Sequence, residues 1–158
     1  MKSAPATLDD ADRRLLKLLQ EDAGLQNQTL AERAGLSPSS CHRRVKALEE
    51  AGVIRGYVAL VEGKAIGAGF VAFVEVRLEK QSATTATAFE RAALTRPEIL
   101  ECSLVTGEYD YLLKVAVADL DEFHAFLTEG LTRLDGVANT RTVIPIKRIK
   151  ATTAMRVR

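Results

Sequence analysis

Apolar residues recur along this chain at two different periods, and the change from one to the other divides it. Up to about residue 52 they fall three and four apart, the spacing of helices packed on one side. The first such run, LDDADRRLLKLLQEDA, has Asp9 placed as an N-cap, acidic residues in its first turn, and Leu15, Leu16 and Leu19 at helical spacing. Gly24 ends it, and Leu25 is placed to tuck back against the bundle. A second run is read as capped by Asn27, with Leu30, Ala31 and Ala34 inward. A third opens with Ser37 as N-cap and Pro38 at the first helical position, and its Cys41, Val45 and Leu48 lie at i, i+4 and i+7. Gly35, Leu36 and Ser37 form a turn between the last two runs, so residues 27–52 have the outline of a helix-turn-helix.

Beyond Gly52 the pattern alternates. Residues 53–61 are rich in β-branched side chains and read as a strand or linker, with Gly56 permitting a bend. Gly63, Gly67 and Gly69 mark a boundary; the GAG there is a weak phosphate-loop signal with no helix after it, and a turn into a strand explains it better. From residue 70 a strand (70–79), a helix (84–95) and a strand (99–106) are followed by a strand (109–118), a helix (120–134) and a strand (137–146). The first of these helices is expected to turn Ala88, Phe89, Ala92 and Ala93 inward, and the second Leu120, Phe123, Leu127 and Leu131.

Two successive β-α-β units predict a ferredoxin-like βαββαβ plait, with four antiparallel strands and two helices on one face. The fold class is α+β. The expected division is a helix-turn-helix domain at 1–52, a linker strand and hinge at 53–68, and a second domain at 69–158, with residues 1–7 a frayed lead-in. In the first strand Ala72, Val74, Val76 and Leu78 share one face, and Val71, Phe73, Glu75 and Arg77 the other. Leu112, Lys114 and Ala116 give the third strand a similarly half-apolar second face. A solvated sheet face usually shows less apolar surface, so a second subunit is expected to cover it.

Charge narrows the partners. The 22 basic and 21 acidic residues leave a net charge of +1, and both halves are nearly balanced. Affinity for a polyanion must therefore come from a local patch at His42, Arg43, Arg44, Lys46 and Arg55, partly offset by Glu49 and Glu50. Cys41 and Cys102 lie far apart without metal-ligand spacing, so neither a zinc site nor a disulfide framework is indicated, and Cys41 reads as a small core residue. With no signal-like leader and no apolar run of about 18–20 residues, the chain reads as cytoplasmic.

With Cys41, Val45 and Leu48 inward, the third helix turns Ser39, Arg43 and Lys46 outward and keeps Ser40, His42 and Arg44 on its flanks. The outward group is short at the N-terminal end, where a recognition helix meets base edges, and cationic farther along, where phosphates lie. Many helices show a basic face to solvent without binding nucleic acid. The turn, cap and proline in register favour double-stranded DNA.

The chain resembles the Lrp/AsnC family, the leucine-responsive or feast/famine regulators. The resemblance runs over LDDADRRLLKLLQEDA, LAERAGLSPSSCHRRVKALEEAGVIRGYVALV, ILECSLVTGEYDYLLKV and GVANTRTVIPI, from Leu8 to Ile146. It implies an N-terminal winged helix-turn-helix, a linker strand and a C-terminal plait termed the RAM domain. It also implies homodimers formed through the plait sheets, assembly into octamers or other multimers, and transcription that responds to a bound amino acid or related small molecule. The family's reading positions fall on Ser37, Ser39, Ser40, His42, Arg43, Arg44 and Lys46. Ser39-Ser40 stands where the family commonly has Thr-Pro, which points to a different base preference.

The family's effector loop maps to Val105, Thr106, Gly107, Glu108, Tyr109 and Asp110. Gly107 would allow a tight turn whose amides hold a carboxylate, Glu108 or Asp110 could hold an ammonium, and Thr140 and Thr142 could add hydroxyls from a neighbouring subunit. The residues alone describe an ordinary hairpin turn equally well. Two other functions are weighed against the regulator. An effector-independent architectural DNA-binding protein is opposed only by the GEYD loop. An enzyme would need an acid–base pair or nucleophile in a pocket, yet the two histidines fall on the third helix and inside a later helix. No catalytic residue, metal ligand or cofactor is predicted.

Overall fold

The computed structural model describes residues 7–80 and 82–157, so the lead-in lies, apart from Thr7, outside the described residues. The chain divides into two compact units. One comprises the residues up to Ala59 together with those from Lys150 onward, and the other runs from Leu60 to Ile149. The closing residues thus join the first unit, whereas the sequence pattern runs the second domain through to its end.

In the first unit α1 spans Asp10–Glu21, α2 Asn27–Ala34 and α3 Pro38–Glu50. Asp9 caps α1 in a reciprocal box, its Oδ1 accepting from the Asp12 amide at 2.9 Å while Asp12 Oδ2 accepts from the Asp9 amide at 3.2 Å. Helix α2 is capped at position 26 rather than by Asn27, whose side-chain amide instead donates across the turn to the Pro38 carbonyl at 2.9 Å. Gly35, at φ 68°, turns the chain into α3, a conformation that favours glycine. The core is small: Leu15, Leu30, Ala31, Ala34 and Cys41 are buried, with Leu18, Leu19, Leu25, Leu36 and Val45 packed around them. The alanines and the cysteine let the helices approach closely. Arg14 Nε donates to the Ala34 carbonyl at 3.0 Å, satisfying an orphan group at the end of α2. Gln20 holds the returning tail through two bonds to the Met155 backbone, 3.1 Å to its carbonyl and 2.6 Å from its amide.

The second unit is the expected plait. Strands β1 (Phe70–Leu78), β2 (Ile99–Leu104), β3 (Tyr111–Val117) and β4 (Val137–Val143) form one antiparallel sheet in the order β2-β3-β1-β4. Helices α4 (Ala83–Leu94) and α5 (Leu120–Ala125) lie on the face that carries Ala72, Val74, Val76, Leu113 and Val115. Phe89 stacks obliquely on Tyr111 at 4.7 Å between ring centroids, and Phe123 bridges Phe70 and Phe126 at 5.3 and 6.3 Å. These aromatics supply the contact area that the first unit lacks.

Three expectations shift. Residues 53–61 form no strand among the described residues: Val53 and Ile54 bend back with their amides on the Leu48 carbonyl, and Val58 beyond them is 80% exposed, because a strand exists only where a second one pairs with it. In α4 it is Phe89 and Ala93, with Ala86 beside them, that pack inward, while Ala88 is exposed. Beyond α5 the helix widens into a π-turn over Phe126–Leu131, with the Thr132 amide bonded to the Leu127 carbonyl at 2.9 Å. Phe126 enters the core with Phe123 and Leu131, Leu127 packs half-buried against it, and Leu120, at the start of α5 ahead of the π-turn, is exposed.

Candidate nucleic-acid interface and effector loop

Ser37 starts α3 by accepting the Ser40 amide at 3.3 Å, and its hydroxyl lies 3.3 Å from that of Ser39. At about 100° per residue, Ser39, His42, Arg43 and Lys46 fall within an arc of roughly 100° opposite Cys41 and Leu48. All four are exposed, whereas Cys41 and Leu48 are buried. Ser40 is half-buried on the flank. Lys46 makes only a loose pair with Glu50 at 3.8 Å, so its charge remains available on the surface. At the far end Tyr57 donates to Glu49 Oε1 at 2.8 Å, tying the segment after α3 to the helix; burial first and the Glu49 carboxylate second push its phenol up to about 12. Burial likewise raises the Cys41 thiol, which fits a core residue and not a nucleophile.

Arg44 differs from the other cations of α3. Its Nη1 donates to Asp9 Oδ2 at 2.7 Å and to Asp12 Oδ1 at 2.8 Å, so it closes a three-residue cluster with the capping box of α1. The Asp12 amide first and Arg44 second hold the Asp9 carboxyl below its ordinary range, and the two carboxylates raise Arg44 further. The sequence marks Asp9 and Asp12 only as helix-start acids. The available signal for this pairing was the position of Arg44, about 60° from Cys41 and so nearer the core than the outward arc.

The loop 105–110 closes the β2–β3 hairpin, with the Val105 amide donating to the Asp110 carbonyl at 2.9 Å. Gly107 has φ 125°, so a side chain there would be strained although space is open around it. Thr106, Gly107 and Glu108 are exposed, and Val105, Tyr109 and Asp110 are half-buried. The Asp110 amide donates to the Val76 carbonyl at 2.9 Å, and its Oδ2 accepts the Leu78 amide at 2.7 Å, beside the register shift in β1. One Asp110 oxygen thus stands in for a missing ladder partner. Glu108 is the exposed carboxylate of the loop. Thr140 and Thr142 lie elsewhere: Thr140 pairs with Val76, which pairs in turn with Tyr111. Two strand spacings, about 10 Å, separate Thr140 from the hairpin end.

Tyr111, next to the loop, donates to Glu90 Oε1 at 2.8 Å, and burial together with that carboxylate pushes its phenol up to about 12. The outer face of the sheet carries half-buried Val71, Phe73, Leu112 and Ala116 among the ion pairs Lys114–Glu101, at 2.9 Å, and Arg141–Glu75, at 3.4 Å. Among the described residues no helix is long and apolar enough to cross a membrane.

A reading helix on one unit and an exposed hairpin loop on an aromatic-cored plait define a DNA-binding regulator with a small-molecule domain. Residues 8–55 match the model of the winged helix-turn-helix DNA-binding domain, and residues 71–155 match that of the Lrp/AsnC ligand binding domain. The leucine-responsive regulatory protein of Escherichia coli K12 is 41% identical over 143 residues, covering 90% of this chain and 87% of that protein. A transcriptional regulator from Neisseria meningitidis, solved as a complex with L-Met, superposes with a TM-score of 0.92 at 37% identity, covering 95% of this chain and 97% of that one. An AsnC family regulator from Agrobacterium tumefaciens gives 0.89 at 32% identity, covering 94% and 97%. The chain belongs to the Lrp/AsnC family of DNA-binding transcriptional regulators.

Proposed function

We propose that α3 enters the major groove of a duplex operator and that an amino acid bound at the 105–110 loop controls how the assembled protein engages DNA. The observation that carries the DNA contact is the outward arc: Ser39 and His42 stand at the start of α3 for base edges, and Arg43 and Lys46 stand beside them for phosphates. Ser37 and Ser40 shape the N-terminal turn and offer backbone and hydroxyl groups to the DNA backbone. In this reading 1–52 binds DNA, 53–68 is the linker and 69–158 binds the effector and oligomerises, with the closing residues from Lys150 returning to the first unit. The protein works in the cytoplasm, beside the chromosome.

For the effector, the neighbour solved with L-Met supports an amino acid. The Gly107 turn supplies amides for a carboxylate, and Glu108 is the group for the ammonium, since an Asp110 oxygen already receives the Leu78 amide. Val105, Thr106 and Tyr109 shape the loop. Thr140 and Thr142 are too far along the sheet to close this site within one chain, so their hydroxyls serve it only from a neighbouring subunit. The half-apolar outer face supports a homodimer built sheet on sheet, with dimers assembling further to bring effector loops together.

Enrichment of random duplexes on the full chain tests the first half. A consensus should emerge, and Arg43→Ala should weaken binding to it with little change in fold; random recovery would reject the reading. A thermal-shift panel across the amino acids tests the second. One or a few should stabilise the protein by mass action, and Glu108→Gln should remove that shift. DNA binding with no shift from any amino acid would instead support the effector-independent architectural protein.

A further inference from the structure

The same α3 that carries the proposed DNA contacts holds one cation off the outward arc. The Arg44 side chain is 29% exposed and that of Asp12 16%, and Arg44 Nε is shut from solvent without a partner among the described residues. A phosphate approaching this guanidinium would meet two carboxylates already bound to it, which repel the phosphate at the same place. The acceptors are themselves fixed, because Asp9 and Asp12 cap each other across the first turn of α1. Two fixed carboxylates that share one guanidinium nitrogen, Nη1, tether this side of α3 to the start of α1 and so oppose its turning away. Much of the apolar contact beneath α3 is made by small residues, Ala31, Ala34 and Cys41, which leave few ridges to resist a helix rolling about its own axis.

We propose that Arg44 is a positioning residue for DNA recognition: clamped to Asp9 and Asp12, it sets the roll of α3 so that Ser39, His42, Arg43 and Lys46 meet the groove together, and it contacts no phosphate itself. The proposal rests on the α3 reading above. Loss of the clamp would let the arc turn away from the bases while its charges stay near the backbone, so sequence discrimination should suffer before general affinity does.

The test uses the full chain with Arg44→Ala, with Asp9→Asn/Asp12→Asn together, and with Arg43→Ala as reference. Fluorescence anisotropy follows binding to the enriched duplex and to a scrambled duplex over a range of salt, at a temperature where circular dichroism shows each protein folded. Arg44→Ala should lose about tenfold or more on the enriched duplex and little on the scrambled one. Its salt slope should equal that of the unmodified chain, and the double asparagine variant should show the same pattern. A direct phosphate contact would appear as a slope shallower by about 0.9, losses on both duplexes, and tighter binding by the asparagine variant. A merely structural role would leave the folded protein's affinity and discrimination unchanged, and either result overturns the proposal. Arg43→Ala keeps the two readings apart: a full slope and full affinity in that variant would refute the α3 interface itself, whatever Arg44 does.

Discussion

The two units of this chain solve the problem of holding helices in place by different means. In the plait, twelve buried residues that include Phe89, Tyr111, Phe123 and Phe126 bring sheet and helices together by apolar contact. In the helix-turn-helix unit a smaller cluster of Leu15, Leu30, Ala31, Ala34 and Cys41, without an aromatic ring, does so, and the orientation of the helices is pinned by polar crosslinks: Arg44 to Asp9 and Asp12, Arg14 to the Ala34 carbonyl, Asn27 to the Pro38 carbonyl. A broad aromatic core resists deformation but spreads its constraint over many contacts. A few directional bonds fix the angle of one helix, which is what a groove-reading surface requires.

The comparison can be broken at its apolar end first. Phe89→Ala removes the ring that stacks on Tyr111 and should cost the plait about 3–5 kcal/mol, read as a lower urea midpoint by circular dichroism. A change under about 1 kcal/mol would mean that the plait is not organised around that pair. Ala34→Leu forces a larger side chain into the close contact of α2 and should cost about 1–3 kcal/mol. Because it displaces helices whose orientation matters, its effect on operator affinity should exceed what the folded fraction explains; equal losses would show that the angle is tolerant.

Titration sharpens the contrast with smaller effects. The Asp9 carboxyl is depressed in the folded state, so its contribution is present above its ordinary value of 3.8 and is lost as pH falls through the folded value. Tyr111 is raised to about 12, so its contribution is complete below its ordinary value of 10.0 and is lost as pH rises from there toward 12. Asp9→Asn should flatten the acid limb of a stability profile, and Tyr111→Phe should flatten part of the alkaline limb, to which Tyr57 and the raised thiols of Cys41 and Cys102 also contribute. Unchanged limbs in both variants would contradict these assignments.

What the sequence discloses follows the range of the interaction. The caps at Asp9 and Ser37, Pro38 at the head of α3, the Gly35 turn and the buried stripe of Cys41 and Leu48 are local, and all are present. Strand alternation likewise gives the correct buried face of β1 and β3, since inward residues of both share a pleat. Over α5 and its π-turn the stripe argument misses Phe126, which enters the core beside half-buried Leu127, since helical spacing from Phe123 admits either of these adjacent residues. The Arg44 cluster joins residues 32 and 35 apart, and the Asp110 bond to the Leu78 amide spans 32, so neither has a spacing to betray it. At the candidate sites, therefore, periodicity marks out the outward arc of α3, while the loop is singled out only by the resemblance to the Lrp/AsnC family. Periodicity does not identify which charged residues already have partners within the fold.

The most direct measurement is a salt titration of binding to the enriched duplex by the unmodified chain and by Arg43→Ala. The logarithm of affinity should fall linearly with the logarithm of salt concentration, and the variant should bind more weakly with a slope shallower by about 0.9, one phosphate fewer. Identical affinity and slope in the two proteins would contradict the assignment of α3 as the surface that meets DNA.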